Sequence, residues 1–504
     1  MLTRTHWMIV IAVSCLLSLG PAGCGGGEGG EDAQSDADAL PDPTDDRDGD
    51  GGLGDVRDAP PPDGAELPGD LPPDVATETA QECDGNCRYV REGAGGSNDG
   101  SDWTNAWTQL PDALARGTIY FIADGHYPGY TFDDEASGSD AITVVRATGA
   151  AHGTDAGWEI GFGEGRAVFG PLVFTAPYTI FDGREGRGIE AVGGYQDAVV
   201  SIGADNVTVR NVEMNGNFTT DAGGYHVDGV CTGLDISASN VTVSGCEIHD
   251  AADDGVSISG SRHVDFSGNV VHRLHGCGTD GGCGPCYNGH SDGLEIYNVK
   301  DSSFTGNLVY DVRSTSTFFF GNWADSLGGG PDEYCGNITM ANNILYSPDT
   351  GFVAYIQDVA GVKVFSNVFW GLRQGRYGGL SIGLHVTDMD MFNNVILSLN
   401  NEHVGGTYDA ANHRHDYNLI GVSLGQIPEG PHDIVNPDPG FTAIPAMDGP
   451  AVADPPPESF ALAAGSPCID AGYPGDASIL IPATDFFGSA RDSSPDIGAV
   501  EYIP

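Results

Sequence analysis

His263-Val-Asp-Phe-Ser-Gly-Asn269, Ser302-Ser-Phe-Thr-Gly-Asn307, Ile338-Thr-Met-Ala-Asn-Asn343, Val362-Lys-Val-Phe-Ser-Asn367, Met389-Asp-Met-Phe-Asn-Asn394 and His413-Arg-His-Asp-Tyr-Asn418 share one register and end on asparagine. Asn240-Val-Thr-Val-Ser-Gly-Cys246 and Asn206-Val-Thr-Val-Arg-Asn-Val212 keep the pattern with Cys or Val in the last place. Successive offsets from Val212 are 34, 23, 38, 36, 24, 27 and 24 residues. Short strands recurring at such a period mean a solenoid, and a shortest turn of roughly 22–24 residues with only strand signals means a parallel β-helix. Asparagine suits the bend because its amide can both donate to and accept from its own kind on the rungs above and below.

Composition narrows the class. Of 504 residues 76 are Gly, without a Gly-X-Y period, which favours a turn-rich β protein over collagen. The 72 acidic residues against 20 basic ones leave a net charge of −52. No basic patch of useful size can be assembled, so nucleic acid is excluded as a partner. Such a surface also repels polyanions unless a cation intervenes; the bland account of the charge is solubility or a salty medium.

The start of the chain is an export signal over residues 1–23: Arg4, an apolar run from Met8 to Leu19, and Pro21-Ala-Gly-Cys24. The run is too short to span a bilayer. Cys24 after Ala-Gly resembles a bacterial lipobox, which implies lipidation of Cys24 and membrane anchoring at the periplasmic or cell surface; simple secretion is the alternative. Residues 24–87 are Gly, Asp, Pro, Glu and Ala with almost no aromatics, a disordered tether. Nine cysteines remain beyond Cys15 and Cys24, and export favours disulfides among them. Cys83 and Cys87 can close a small loop; the odd count leaves at least one thiol over.

Residues 88–130 read as an entry cap. Leu110-Pro-Asp-Ala-Leu-Ala115 suits a short helix with Pro111 near its start, and Gly117-Thr-Ile-Tyr-Phe-Ile-Ala-Asp-Gly-His-Tyr127 an apolar strand. This order resembles the start of right-handed parallel β-helix proteins of the pectate-lyase superfamily, where a helix closes the open end of the coil. Ser459-Phe-Ala-Leu-Ala-Ala-Gly-Ser-Pro-Cys-Ile-Asp-Ala-Gly472 and Asp485-Phe-Phe-Gly-Ser-Ala-Arg491 resemble the terminal segment of exported bacterial β-helix proteins. The expected architecture is all-β: coils over 131–425, irregular before about residue 200, and a closing segment over 426–504.

Within a rung, alternation points Val241, Val243, Ile248, Val256 and Ile258 inward and Ser257 and Ser259 outward. The same reading puts Leu234, Ile236, Leu294 and Ile296 inside, and Asp235, Glu295 and Tyr297 outside. The long offsets place insertions at about 215–232 and 274–292, entering this third strand, and at about 324–335, following it. Loops on a rigid scaffold are where binding and catalysis tend to sit.

These turns and the strand between them hold Tyr225-His-Val-Asp228, Asp253-Asp254, Gly289-His-Ser-Asp292 and Glu295. Asp254 and Asp292 fall at equivalent turn positions on adjacent rungs, roughly 5 Å apart along the backbone. Carboxylates that close require a shared proton or a cation such as calcium. Asp235 and Glu295 share an outward register two rungs apart, near the acid–base separation of inverting glycosidases. Asp253-Asp-Gly-Val-Ser-Ile and His290-Ser-Asp-Gly-Leu-Glu-Ile resemble the paired-aspartate and Gly-His motifs of polygalacturonase-type hydrolases, with no Arg-Ile-Lys counterpart. The plainer account is that Asp before Gly makes good turns. Candidate catalytic residues are therefore Asp254, Asp292, Glu295, Asp235 and His290. Candidate substrate contacts are His226, Asp228, Asp253, Tyr297 and Arg273, and Asp254 and Asp292 are the candidate calcium ligands. The pectate-lyase resemblance implies elimination instead, with calcium neutralising a uronate and a basic residue such as Arg273, Arg313 or Lys300 taking the proton.

Two further groupings stand out. Cys277, Cys283 and Cys286 with His272, His275 and His290 have zinc-like spacing, although an exported loop favours a disulfide, and Cys335 could pair there. His249, His272, Tyr310, Tyr346 and Trp370 share a register three residues after the bend, an outward stripe for sugar stacking or for rung-on-rung packing. The function expected is a polysaccharide-binding, polysaccharide-cleaving coil, hydrolase or uronate lyase; the alternative is a non-catalytic adhesin or structural rod. Partners expected are a polysaccharide and, through Cys24, a membrane; the chain is expected to be a monomer.

Overall fold

The computed structural model stacks the bend asparagines in one row. Asn269, Asn307, Asn343, Asn367, Asn394 and Asn418 are wholly buried. Each Nδ2 donates to the Oδ1 of the next, at 3.2, 2.9, 2.9, 3.0 and 2.9 Å. Each receiving Oδ1 also accepts the backbone N–H of the asparagine before it. Every Nδ2 gives its second hydrogen to a backbone carbonyl, from Val243 for Asn269 to Met391 for Asn418. Asp433 closes the row by accepting from Asn418, and the Cys246 N–H opens it on Asn269 Oδ1 at 2.9 Å. The residue before each asparagine is left-handed, as at Gly268 (φ 63°) and Asn342 (φ 55°), so one residue turns the chain.

The structure describes Cys83 and residues 85–504, apart from 185, 194–197, 221–225, 229–230, 277–290, 314, 322–333, 348–351, 372–378, 401–412, 425–426, 437 and 444–456. Three parallel ladders run along the coil. The first holds twelve strands from Cys87–Val90 to His413–Asp416. Its inward column Val209, Val243, Phe266, Phe304, Met340, Val364 and Met391 is in direct register and buried. The second ladder follows the bend, from Gly125–Tyr127 to Ile434–Val435. The third runs through Leu234–Ile236, Val256–Ser259, Asp292–Tyr297, Ser316–Phe320 and Phe352–Ile356. Pairing between these ladders' strands is parallel throughout the coil, the arrangement of a β-helix; one antiparallel pair, Thr219–Thr220 with His226–Asp228, sits in an inserted turn.

Three expectations need correction. The described residues contain no α-helix, and residues 110–117 are turn and irregular structure. Six residues before a left-handed Gly117 are too few to nucleate a helix. Their donors go elsewhere: Leu114 N–H to Asp134 and Ala115 N–H to the Tyr120 hydroxyl. Leu110 and Leu114 still pack into the coil's core with Val90, Tyr120 and Ile122, while Tyr89, Trp103, Phe121 and Val145 cover the outer face of the first strands with Trp158 and Phe162 against them. Second, the coils before residue 200 are regular: Ile142–Arg146, Leu172–Phe174 and Thr179–Asp182 already pair in register with their neighbours. Third, Cys335 is a buried free thiol, as are Cys246 and Cys468, while Cys83 bonds Cys87.

Of the two readings of the stripe, rung-on-rung packing is the one borne out. His249, His272 and Tyr310 stack rung on rung, with centroids 5.2 and 4.9 Å apart. Beyond them Tyr346 meets Phe460 at 5.2 Å and Trp370 meets Phe441 at 5.7 Å. The closing segment lays Phe460, Leu462, Phe486, Ile497 and Val500 over this face. The stripe is thus a second core outside the coil and offers no ring face to a sugar. Among the described residues no helix is long and apolar enough to cross a membrane.

Candidate active site

Strand register fixes the neighbourhood of the acidic residues. Asp235, Ser257 and Glu295 are successive partners on the outward face of the third ladder. One turn earlier, Gly255 N–H donates to Asp292 O, and Asp292 N–H donates to Asp254 Oδ1 at 3.1 Å, which sets the two aspartates on adjacent rungs. The glycines after them are required: a Cβ on Gly255 would lie 2.7 Å from the Gly293 carbonyl.

The carboxyls interlock. Asp254 is 6% exposed and hydrogen-bonds through its side chain to Glu295. Burial, then the charges of Glu295, Asp253 and Asp292, hold its carboxyl well above the usual range, which favours its protonated form. The Tyr297 hydroxyl donates to Glu295 Oε1, and the Ser316 hydroxyl to Asp292 Oδ1. Burial and the Glu295 carboxylate push the Tyr297 hydroxyl up, which keeps it a donor. Asp235, half-buried, is raised by burial. Asp253 is anchored by its N–H on the Cys231 carbonyl at 2.8 Å.

The structure therefore brings together Asp254, Asp292, Glu295, Tyr297 and Asp253, with Asp235 two rungs along the same face. His226 and Asp228 are placed only as backbone, in the short hairpin. His290 and Cys24 lie outside the described residues. The carboxylate oxygens of Asp254 and Asp292 have the right chemistry for calcium but are four at most where that ion takes six to eight. No trio of His, Cys, Asp or Glu among the described residues is arranged as a metal cage. Of the zinc candidates, His272 Nε2 is bound to Glu247 at 2.9 Å and His275 Nε2 to Asp311 at 2.8 Å.

Arg273 belongs to a different cluster, on the second ladder. It forms a two-pronged ion pair with Asp250 at 2.9 and 2.8 Å, and Asp250 also binds His249 at 2.7 Å. Glu190, Glu213 and Glu247 stack in one column there, met by Arg166, Arg187, His249 and His272. The signal was legible as a Glu directly after the bend residue in Val212-Glu213 and again in Cys246-Glu247. Burial opposes the charge on Glu247, yet the His272 hydrogen bond and Arg187 hold it down at about 2. Burial likewise opposes charge on His249, yet Asp250 and Glu213 push it up to about 9. His272, wholly buried, is pushed down by that burial and stays neutral.

The sign of the pH dependence follows. A carboxylate held low stabilises the fold above its ordinary pKa, and that contribution fades as pH falls toward the folded value. For Glu247 the fade runs from 4.5 down to about 2. A histidine held high stabilises below its ordinary value and loses this as pH rises, for His249 from 6.5 through about 9. Thermal unfolding of Glu247→Gln should show a lower Tm than the native chain at pH near 6, and the gap should close as the medium is acidified through that window. A gap independent of pH would show that Glu247 acts by packing alone.

One cavity of about 540 Å³ lies elsewhere, between His413–Tyr417, residues 428–432 and Tyr473 at the far end of the coil. Its histidines are engaged: His415 Nε2 with the Pro428 carbonyl and His432 Nδ1 with Asp416 at 2.7 Å.

No family model matches the chain, and no curated protein matches it. Among solved structures it is similar to the pectate lyase Pel9A, at 16% identity and a TM-score of 0.47, over 84% of this chain and 98% of that one. It is similar to XylC in complex with xylose, at 9% identity and a TM-score of 0.45, over 83% and 98%. A third is the PL6 family polysaccharide lyase Pedsa3628 from Pseudopedobacter saltans, at 13% identity and a TM-score of 0.32, over 64% and 87%. These are likenesses of coil to coil; the β-helix of this chain stands on its own strand pairing.

Proposed function

We propose that this chain binds and hydrolyses a polysaccharide along the outward face of its third ladder. The observation that supports this most is a buried, proton-holding Asp254 hydrogen-bonded to the outward-facing Glu295. In the proposed reaction Asp235 removes a proton from water, and the water oxygen attacks the anomeric carbon as the glycosidic C–O bond breaks. The departing oxygen takes the proton shared by Glu295 and Asp254. Two rungs put about 9–10 Å between the backbones of Asp235 and Glu295, which leaves room for that water and fits inversion. Tyr297 orients Glu295, and the Asp292 carboxylate keeps the proton on the pair by disfavouring a second charge beside it.

A second reading has the same crowding in its favour. Calcium held by Asp254 and Asp292 would replace the shared proton and favour uronate elimination. Both readings are tested by incubating the full mature chain with neutral, amino and uronic polysaccharides, with and without a chelator. Hydrolysis gives reducing ends, no ultraviolet absorbance from a new double bond, and no response to the chelator. Absorbance that the chelator abolishes establishes elimination. A rod or adhesin gives no product from any glycan, which would overturn both.

The chain is further proposed to be exported and anchored through lipid on Cys24. Cys24→Ala should then move the protein from the membrane to the soluble fraction and abolish incorporation of a labelled fatty acid. Unchanged membrane association would remove the anchor.

A further inference from the structure

A second concave site stands at the far end of the coil, where three distant stretches meet. They are the last strand of the first ladder, His413–Asp416, the loop 428–432, and the turn from Tyr473 to Ile479. Its cavity of about 540 Å³ falls within the range of small-ligand pockets, roughly 300–1,000 Å³. Register leads from Ser303 through Thr339, Lys363 and Asp390 to Arg414. The cavity therefore lies four rungs beyond the strand that follows Glu295, ~19 Å along the axis. Four rings form a row there: Phe392 to Tyr473 at 5.4 Å, Tyr473 to Tyr417 at 5.3 Å, and Tyr417 to His432 at 4.4 Å.

Hydrogen bonds fix the row. Asp416 accepts the backbone N–H of Tyr417 and of His432 at 2.9 and 2.6 Å and bonds His432 Nδ1 at 2.7 Å. Asn393 accepts the Tyr473 N–H at 2.7 Å and donates to its carbonyl at 2.9 Å, and Asp476 accepts the Tyr473 hydroxyl at 2.7 Å. Rings so fixed lose little freedom when a ligand settles on them. The Tyr417 hydroxyl, His432 Nε2 and the Glu429 carboxylate take no part in these bonds. Charges on the wall are matched, Arg414 by a two-pronged ion pair with Asp390 at 2.6 and 2.7 Å and His432 by Asp416. Ring surface with both donors and acceptors around it suits a ligand that has C–H faces and hydroxyl groups, which is a neutral sugar. A uronate would meet Glu429 and Asp416 while the Arg414 guanidinium is already paired.

We propose that this cavity is a second, non-catalytic site that binds a neutral sugar unit of a polysaccharide. It goes beyond the proposed hydrolysis and does not depend on it. Titration calorimetry would use the full mature chain carrying Glu295→Gln, which blocks the proposed turnover and leaves the cavity untouched. The ligands are hexamers of glucose, mannose, xylose and galacturonate. At least one neutral hexamer is expected to bind, and Tyr417→Asn to weaken it about tenfold, the effect of removing a central aromatic anchor. Asparagine accepts the left-handed backbone of Tyr417, φ 57°. His432→Ala, at a side chain 56% exposed, should weaken binding severalfold and keeps the test decisive should Tyr417→Asn fail to fold.

Absence of binding by every neutral hexamer overturns the proposal. So does binding that neither cavity substitution weakens, because the sugar would then lie elsewhere. Galacturonate bound more tightly than every neutral hexamer also overturns it. A neutral hexamer held in the cavity of a native chain that cleaves no polysaccharide supports this inference and retires the hydrolytic reading. Cleavage by the native chain with no neutral hexamer bound does the reverse.

Discussion

Asp254→Asn is expected to lower polysaccharide turnover by roughly 10²–10⁴-fold, the range for loss of a proton donor, while melting stays nearly unchanged. Asparagine matches aspartate in shape, and its Oδ1 can still accept the Asp292 N–H that Asp254 accepts at 3.1 Å. It cannot hold or release the proton shared with Glu295. Stability supplies a second readout with a definite sign. A buried carboxyl held above its ordinary value of 3.8 helps the folded state at low pH, and that help is lost as pH rises. The variant, with nothing to ionise, should therefore gain on the native chain in Tm as the medium becomes more alkaline. Turnover equal to that of the native chain would remove Asp254 from the reaction, whatever the melting curves show.

Asn343→Ala, in the middle of the bend row, is expected to cost at least about 4 kcal/mol in urea unfolding, at the diagnostic end of single substitutions. Its Oδ1 accepts both the backbone N–H and the Nδ2 of Asn307. Its Nδ2 donates to the Phe304 carbonyl and to Asn367 Oδ1. Alanine takes away the acceptor of the Asn307 N–H and of one Asn307 Nδ2 hydrogen and the side-chain donor to the Phe304 carbonyl, all of them buried, while Asn367 Oδ1 keeps the backbone N–H of residue 343. Cys246→Ala is the control, because the link from that position to Asn269 is a backbone N–H that survives the change. A loss of about 1 kcal/mol is expected there, the ordinary value for a small buried truncation. Equal losses at the two positions would mean that the row contributes packing rather than hydrogen bonds.

Local periodic features were legible in the sequence. The bend residue, the inward columns and the neighbouring registers of Asp235, Ser257 and Glu295 depend only on period and alternation, and the strand pairing follows them. Asp254 and Asp292 could be placed on adjacent rungs because each stands two residues before an inward apolar residue, Val256 and Leu294, that pair directly. Tertiary competition hid the rest. Leu110–Ala115 has helical composition, but Asp134 and Tyr120 claim its backbone donors from distant strands. The rings of Tyr346 and Trp370 read as a packing ladder or a sugar platform, and only Phe460 and Phe441, far onward in the chain, show what covers them. Arg273 seemed available for substrate because Asp250, its partner, sits 23 residues away, one full turn of the coil. The hydrogen bond between Asp254 and Glu295 depends on side-chain orientation across a turn, which spacing alone does not reveal.

The belt of closing residues over Leu308, Tyr346, Val368 and Leu397 has a consequence for biogenesis. Those surfaces are finished by residues 460–500, which are synthesised after every coil they cover. A nascent chain halted anywhere before Phe486 would present an oily strip along stacked strands, a surface prone to aggregation. Burial of that strip therefore waits for residues 460–500. Deleting residues 457–504 should send far more of the protein into the insoluble fraction than is found there for the undeleted chain.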